Sequence, residues 1–151
     1  MKKLILLTGI IVTVSSCGLL WVFRQLHEMP DMTWRQSDIQ TFNAEIKESG
    51  NYNVVFLFRH VHGFPYKDVG IRMQMRDSQT DEMFEYSVPI IADNKEYLGD
   101  GSGDMWDVEF PMLERHHFDA GHVEFAIEHR MAKEDLQLVM EVGIKIERAK
   151  E

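Results

Sequence analysis

The chain contains one cysteine, Cys17, so no disulfide can form within it. Cations are scarce: 16 Lys and Arg face 25 Asp and Glu, a formal charge of −9. A surface this acidic disfavours nucleic acid and anionic headgroups as partners. Helical periodicity is almost missing, and the only stretch that could make a helical turn runs from Ala132 to Leu138. There is no nucleophile elbow and no glycine loop carrying a phosphate-binding lysine, so no catalytic chemistry is indicated. The apolar run from Leu4 to Val14 is too short to cross a ~30 Å hydrocarbon core.

That run does have the anatomy of an export signal. Lys2 and Lys3 precede it, and the small residues Ser15 and Ser16 lead into Cys17. Val14-Ser15-Ser16-Cys17 is similar to the bacterial lipobox, in which the cysteine sulfur takes a diacylglyceryl group and becomes the acylated N-terminus. A membrane-spanning anchor continued through Gly18 to Phe23 is the competing reading, and the position of the only cysteine argues against it. Removing residues 1–16 removes Lys2 and Lys3, which leaves 14 basic residues against 25 acidic ones and a charge of −11. Acyl chains must then hold the membrane, and two or more are needed for stable anchoring. No acidic cluster follows Cys17, which favours the periplasmic face over surface export.

The expected organisation is a signal over 1–16, a lipidated tether over 17–33 and a single domain over 34–151. Alternation with period two dominates that domain. Phe42, Ala44 and Ile46 share a strand face; Val69, Ile71, Met73 and Met75 share another. Val123, Phe125 and Ile127 do the same, as do Met140, Val142, Ile144 and Ile146. Tyr52 to Val61 is apolar on both faces, as expected of a central strand covered on two sides. Asp77 to Asp81 reads as a hairpin turn between strands, Val108 to Leu113 as a short strand, and Leu98 to Asp107 as a loop. Together these patterns predict an all-β fold, a β-sandwich of about seven to eight antiparallel strands.

Three groups of residues invite chemistry. Asp100, Asp104 and Asp107 are interleaved with Gly99, Gly101 and Gly103, material for an oxygen-ligand calcium loop or a partner-binding loop, and equally for a tight turn. The spacing does not match an EF-hand. His60 and His62 fall on one strand face at a spacing that could grip zinc or copper, whereas His122 and His129 have opposite parity. Trp34, Tyr52, Tyr66, Tyr97 and Trp106 could stack on sugar rings, or could pack in the core.

The ordered stretches Asn53 to Arg59, Pro65 to Val69, Leu98 to Asp104, Phe118 to Phe125, Glu128 to Met131 and Val139 to Ile144 resemble the gliding motility lipoprotein GldH family of the Bacteroidota. The resemblance implies a non-enzymatic accessory protein of the envelope, linked to gliding motility and the type IX secretion system. It implies other envelope proteins as partners and offers no catalytic residue. The one functional position it transfers is Cys17. The alternative reading is a periplasmic module that binds carbohydrate or peptidoglycan.

Overall fold

The computed structural model describes residues 21–150. The expected signal 1–16 and its lipidated Cys17 lie outside the described residues. Eleven strands follow one another: β1 (Phe23–Glu28), β2 (Thr33–Arg35), β3 (Gln40–Ile46), β4 (Gly50–Val61), β5 (Asp68–Arg76), β6 (Asp81–Pro89), β7 (Asp100–Ser102), β8 (Met105–Phe118), β9 (Gly121–His129), β10 (Asp135–Gln137) and β11 (Val139–Arg148). One 3-10 turn at Pro30–Met32 separates β1 from β2.

All pairings are antiparallel. One sheet runs β1-β11-β4-β8-β7, the other β3-β9-β5-β6, and β2 and β10 form a two-stranded ribbon. Eight of the strands are long and make the sandwich; β2, β7 and β10 have three residues each. The alternation read from the sequence is what builds the core. In β3 every second residue from Gln40 is buried, and Phe42, Phe56, Ile71, Met73, Phe125, Ile144 and Ile146 interlock between the sheets. Removing such a side chain from water contributes roughly 1.5–3 kcal/mol each.

Central strand β4 explains its two apolar faces. Val54, Phe56 and Phe58 face the core, while Val55 and Leu57 are buried on the outer side. No further layer covers that outer side among the described residues. Lys145 on β11 reaches across β4 to Glu109 on β8 with Nζ to Oε2 at 2.6 Å, and Arg59 makes a second cross-strand strap. Their aliphatic stems shield the apolar residues beneath while the charged heads stay paired.

Three expectations need correction. The tether expected over 17–33 is partly strand, since Phe23–Glu28 pairs with Ile146–Glu141 at the edge of the first sheet. Gly143 permits this pairing, because a Cβ there would run into the Gln25 carbonyl and the Leu26 side chain. The helical turn expected at Ala132 to Leu138 is instead a bend over 132–134, the strand β10 and a turn at Leu138. Leu136 is its one fully buried residue, β10 pairs with β2 beside Trp34, and Leu138 takes a left-handed φ of 68°. The strand expected at Val108 to Leu113 continues from Met105 to Phe118, where polar Glu114, Arg115 and His117 hide it from an apolar pattern.

Candidate functional site

The topology sorts the connections by length. Ile46 to Gly50, Arg76 to Asp81 and Phe118 to Gly121 turn tightly at one end of the sandwich. The chain reaches β1 close to that end, where the Val22 amide donates to the Ile146 carbonyl at 2.8 Å. Every longer connection lies at the opposite end: residues 29–39, 62–67, 90–99 and 130–138. The β7–β8 hairpin also points that way, because Val61 at the far end of β4 pairs with Met105. Loops that need not pack a core are where binding residues concentrate, so the loop-bearing end is the candidate site.

Two buried histidines sit at its root. His129 Nε2 donates to the Trp34 carbonyl at 3.1 Å and its Nδ1 accepts from the Met131 amide at 3.4 Å. The Trp34 indole, fully buried, stands edge-on to this ring and donates to the Asp38 carbonyl at 3.1 Å. His60 donates Nδ1 to the Val61 carbonyl at 3.1 Å, and its Nε2 has no protein partner. Burial holds both histidines below the ordinary imidazole pKa, hence neutral. The strand-parity reading of His122 and His129 holds: the first is exposed, the second buried. His60 and His62 both lie against the Tyr97 ring, His60 buried at 4.9 Å between centroids and His62 exposed at 5.6 Å.

The glycine-rich stretch is a hairpin rather than an open loop, which corrects the expectation for Leu98 to Asp107. Gly99 has a φ of 92°, and a Cβ on it would overlap the Asp107 carbonyl. Gly101 lies under the Trp106 ring, 3.0 Å from where its Cβ would be. Gly99 is thus accounted for by close backbone approach, Gly101 by the ring packed over it and Gly103 by its left-handed φ of 62° at the turn. At the tip, the Asp104 carbonyl accepts from the His62 amide at 2.7 Å, tying the hairpin to the β4–β5 connection.

The three aspartates do not form one cluster. Asp100 and Asp107 lie opposite each other, in a row that crosses all five strands of the first sheet. The row reads Glu28 on β1, Glu141 on β11, Arg59 on β4, Asp107 on β8 and Asp100 on β7. Arg59 donates Nε and Nη2 to the two Asp107 oxygens at 2.7 and 3.0 Å, and Nη1 to Glu141 at 2.6 Å. The fork geometry raises the Arg59 pKa, chiefly through the Asp107 hydrogen bonds. The row thus holds four carboxylates and one cation, which pairs with Asp107 and Glu141 alone, and like charges directly opposite in antiparallel strands are destabilising. Sequence reasoning missed Glu28, Arg59 and Glu141, because only strand register brings them beside the aspartates. Among the described residues, no three His, Cys, Asp or Glu side chains come together as a metal-ligand group.

The aromatic platform is also redistributed. Trp34 and Tyr52 are core residues. Tyr66, Tyr97 and Trp106 are half-buried; Tyr97 packs on Trp106 at 5.3 Å, and its hydroxyl links the Gly63 amide to the Phe64 carbonyl. None of the five is fully exposed.

Fold and site together define a small antiparallel sandwich with a strand-borne ionic row and a loop-rich end opposite the start of β1. The family model described as GldH lipoprotein matches residues 21–146, and the chain belongs to that family. It is thus a gliding-motility-related lipoprotein, associated with the membranes of the cell envelope. The match takes in β1, as the structure does. No curated protein matches the chain. Among solved structures it is similar to TmCBM61 in complex with β-1,4-galactotriose, at 14% identity and a TM-score of 0.33. That alignment covers 75% of this chain and 62% of the other, and a likeness of this degree carries no argument about function.

Proposed function

We propose that the protein is a non-enzymatic accessory of the gliding or type IX secretion-related machinery, held by acyl chains on Cys17 at the periplasmic face of the outer membrane. In this reading its loop-bearing end docks another envelope protein. The observation that carries it is topological. The described chain begins beside the tight turns, so an anchor attached a few residues earlier leaves the long connections facing away from the bilayer. A chain of n residues spans at most about 3.3–3.6 Å times n, so the short segment from residue 17 to β1 keeps that end close to the headgroups.

Site-specific photocrosslinking in the native host tests it. A benzophenone amino acid replaces Met105, which is 38% exposed at the hairpin, or Met83, which is 59% exposed on β6 near the tight turns. A discrete protein adduct from position 105 and none from position 83 is expected. Adducts from position 83 alone would reverse the assignment of ends. The anchor is tested separately: Cys17→Ser should release the protein from membranes, and retention would remove the lipid.

A further inference from the structure

The loop-bearing end carries a shallow cleft where β1, the 3-10 turn and β11 meet. Three methionines line it: Met29, Met32 and Met140. Met29 and Met140 are joined by a backbone hydrogen bond of 2.8 Å, and Met29 is almost fully buried. Met32, 46% exposed, stands at the lip. Asp31 and Met32 both adopt left-handed backbone, with φ of 54° and 50°, which residues with a Cβ seldom do. Thioether side chains are unbranched and polarizable and adapt to varied apolar surfaces.

Charge selects the occupant. Glu28, Asp31 and Glu141 rim the cleft, and Arg59 is the only cation lining it. Arg59 is already committed to Asp107 and Glu141. Glu28 faces Glu141 across the β1–β11 ladder, and neither Glu28 nor Asp31 has an ion-pair partner among the described residues. A second copy of this acidic chain would bring the same carboxylates to the contact. We infer that the cleft receives a partner protein's segment that places a lysine or arginine among apolar residues. The methionines take its aliphatic stem and neighbouring apolar groups, and Glu28 and Asp31 take its charged head. This rests on the reading that the loop-bearing end is the docking end.

The test uses the full-length lipoprotein in neutral detergent, labelled at its methionine methyl groups, with three capped five-residue peptides as probes. One alternates valine and lysine, one valine and glutamate, one glycine and lysine. The valine–lysine peptide should bind and shift the Met32 and Met140 methyl signals, leaving Met83 on β6 unmoved. The Glu28→Gln, Met32→Gln double variant should weaken it at least tenfold, and both other peptides should bind at least tenfold more weakly. Equal binding of the glycine–lysine peptide, shifts at Met83 instead, or an unchanged affinity in the double variant would overturn the cleft. The Met105 photoadduct keeps the two readings apart. If it survives in the double variant while the peptide result fails, only the cleft assignment is lost; if it never forms in the unaltered chain, the docking end itself is wrong.

Discussion

The two ends of this sandwich are held by different chemistry. At the tight-turn end the turns carry short-range bonds: Asp77 accepts the Gln79 and Thr80 amides at 2.7 Å each, and the buried Tyr52 donates to the Glu48 carbonyl four residues away. At the loop-bearing end long-range bonds dominate, from His129 to the Trp34 carbonyl and from Arg59 to Asp107 and Glu141, beside the fully buried Trp34 and His60. An end built from short turns can vary residue by residue. One built on shared buried groups responds as a unit, because each group touches several connections.

Glycine substitutions should sharpen this contrast most. Gly99→Ala at the loop-bearing end combines an unfavourable φ with overlap on the Asp107 carbonyl and should cost about 3 kcal/mol. Gly121→Ala at the other end has φ 145° but open space around it, and should cost about 1 kcal/mol. Denaturant melts of both variants compare them directly, and equal losses would break the contrast.

Arg59→Met comes next. It leaves Asp107 and Glu141 without their cation and removes charge-assisted hydrogen bonds, for an expected loss of about 2 kcal/mol by thermal melt. Arg59→Lys should restore only part of it, since an ammonium cannot make the fork. Arg148→Met, whose ion pair with Glu48 is exposed at the other end, should leave the midpoint unmoved within error.

Acid should open the ends in sequence. Burial depresses the His60 and His129 pKa values, so below about 6.5 the unfolded chain takes up protons that the folded chain refuses. Stability present above that pH is lost as pH falls from there towards the folded values. Asp77 is held below the usual carboxylate range mainly by the Gln79 amide, so its contribution is lost only below about pH 4. Amide protection factors, with the pH dependence of intrinsic exchange divided out, should therefore fall between pH 7 and 5 at Trp34, Arg35 and Met131 while those of Gln79 and Thr80 hold. Simultaneous loss would show one cooperative unit instead of two ends.

The smallest effect is expected from calcium. A site occupied at a hundredfold excess over its dissociation constant would add roughly 2.7 kcal/mol. With Asp107 engaged by Arg59 and the Asp104 carbonyl engaged by the His62 amide, the melting midpoint should not move. A rise abolished by Asp100→Ala with Asp104→Ala would instead establish an ion at the hairpin.

Much of the fold was legible because a strand with one buried face must alternate. The β3, β5 and β9 patterns admit no other reading, and the doubly apolar β4 announced its central place. β1 was not legible, because Phe23, Leu26 and the half-buried His27 do not alternate. Its edge position is fixed by Gly143 more than a hundred residues away, and by His27 stacking on Phe42 at 4.6 Å. The hairpin glycines and aspartates stood out in the sequence, yet their company did not. Arg59, Glu141 and Glu28 join them only through pairings that no local pattern encodes.

The position of β1 has a mechanical consequence. A lipid-held N-terminus and a partner gripping the opposite end would pull along the strand axes. β1 runs antiparallel to β11 over six residue pairs, from Phe23–Ile146 to Glu28–Glu141. Tension in that direction loads the ladder in shear, so its bonds share the force and must slip together rather than peel open one after another. On the proposed reading, β1 is the strand that would carry such a load.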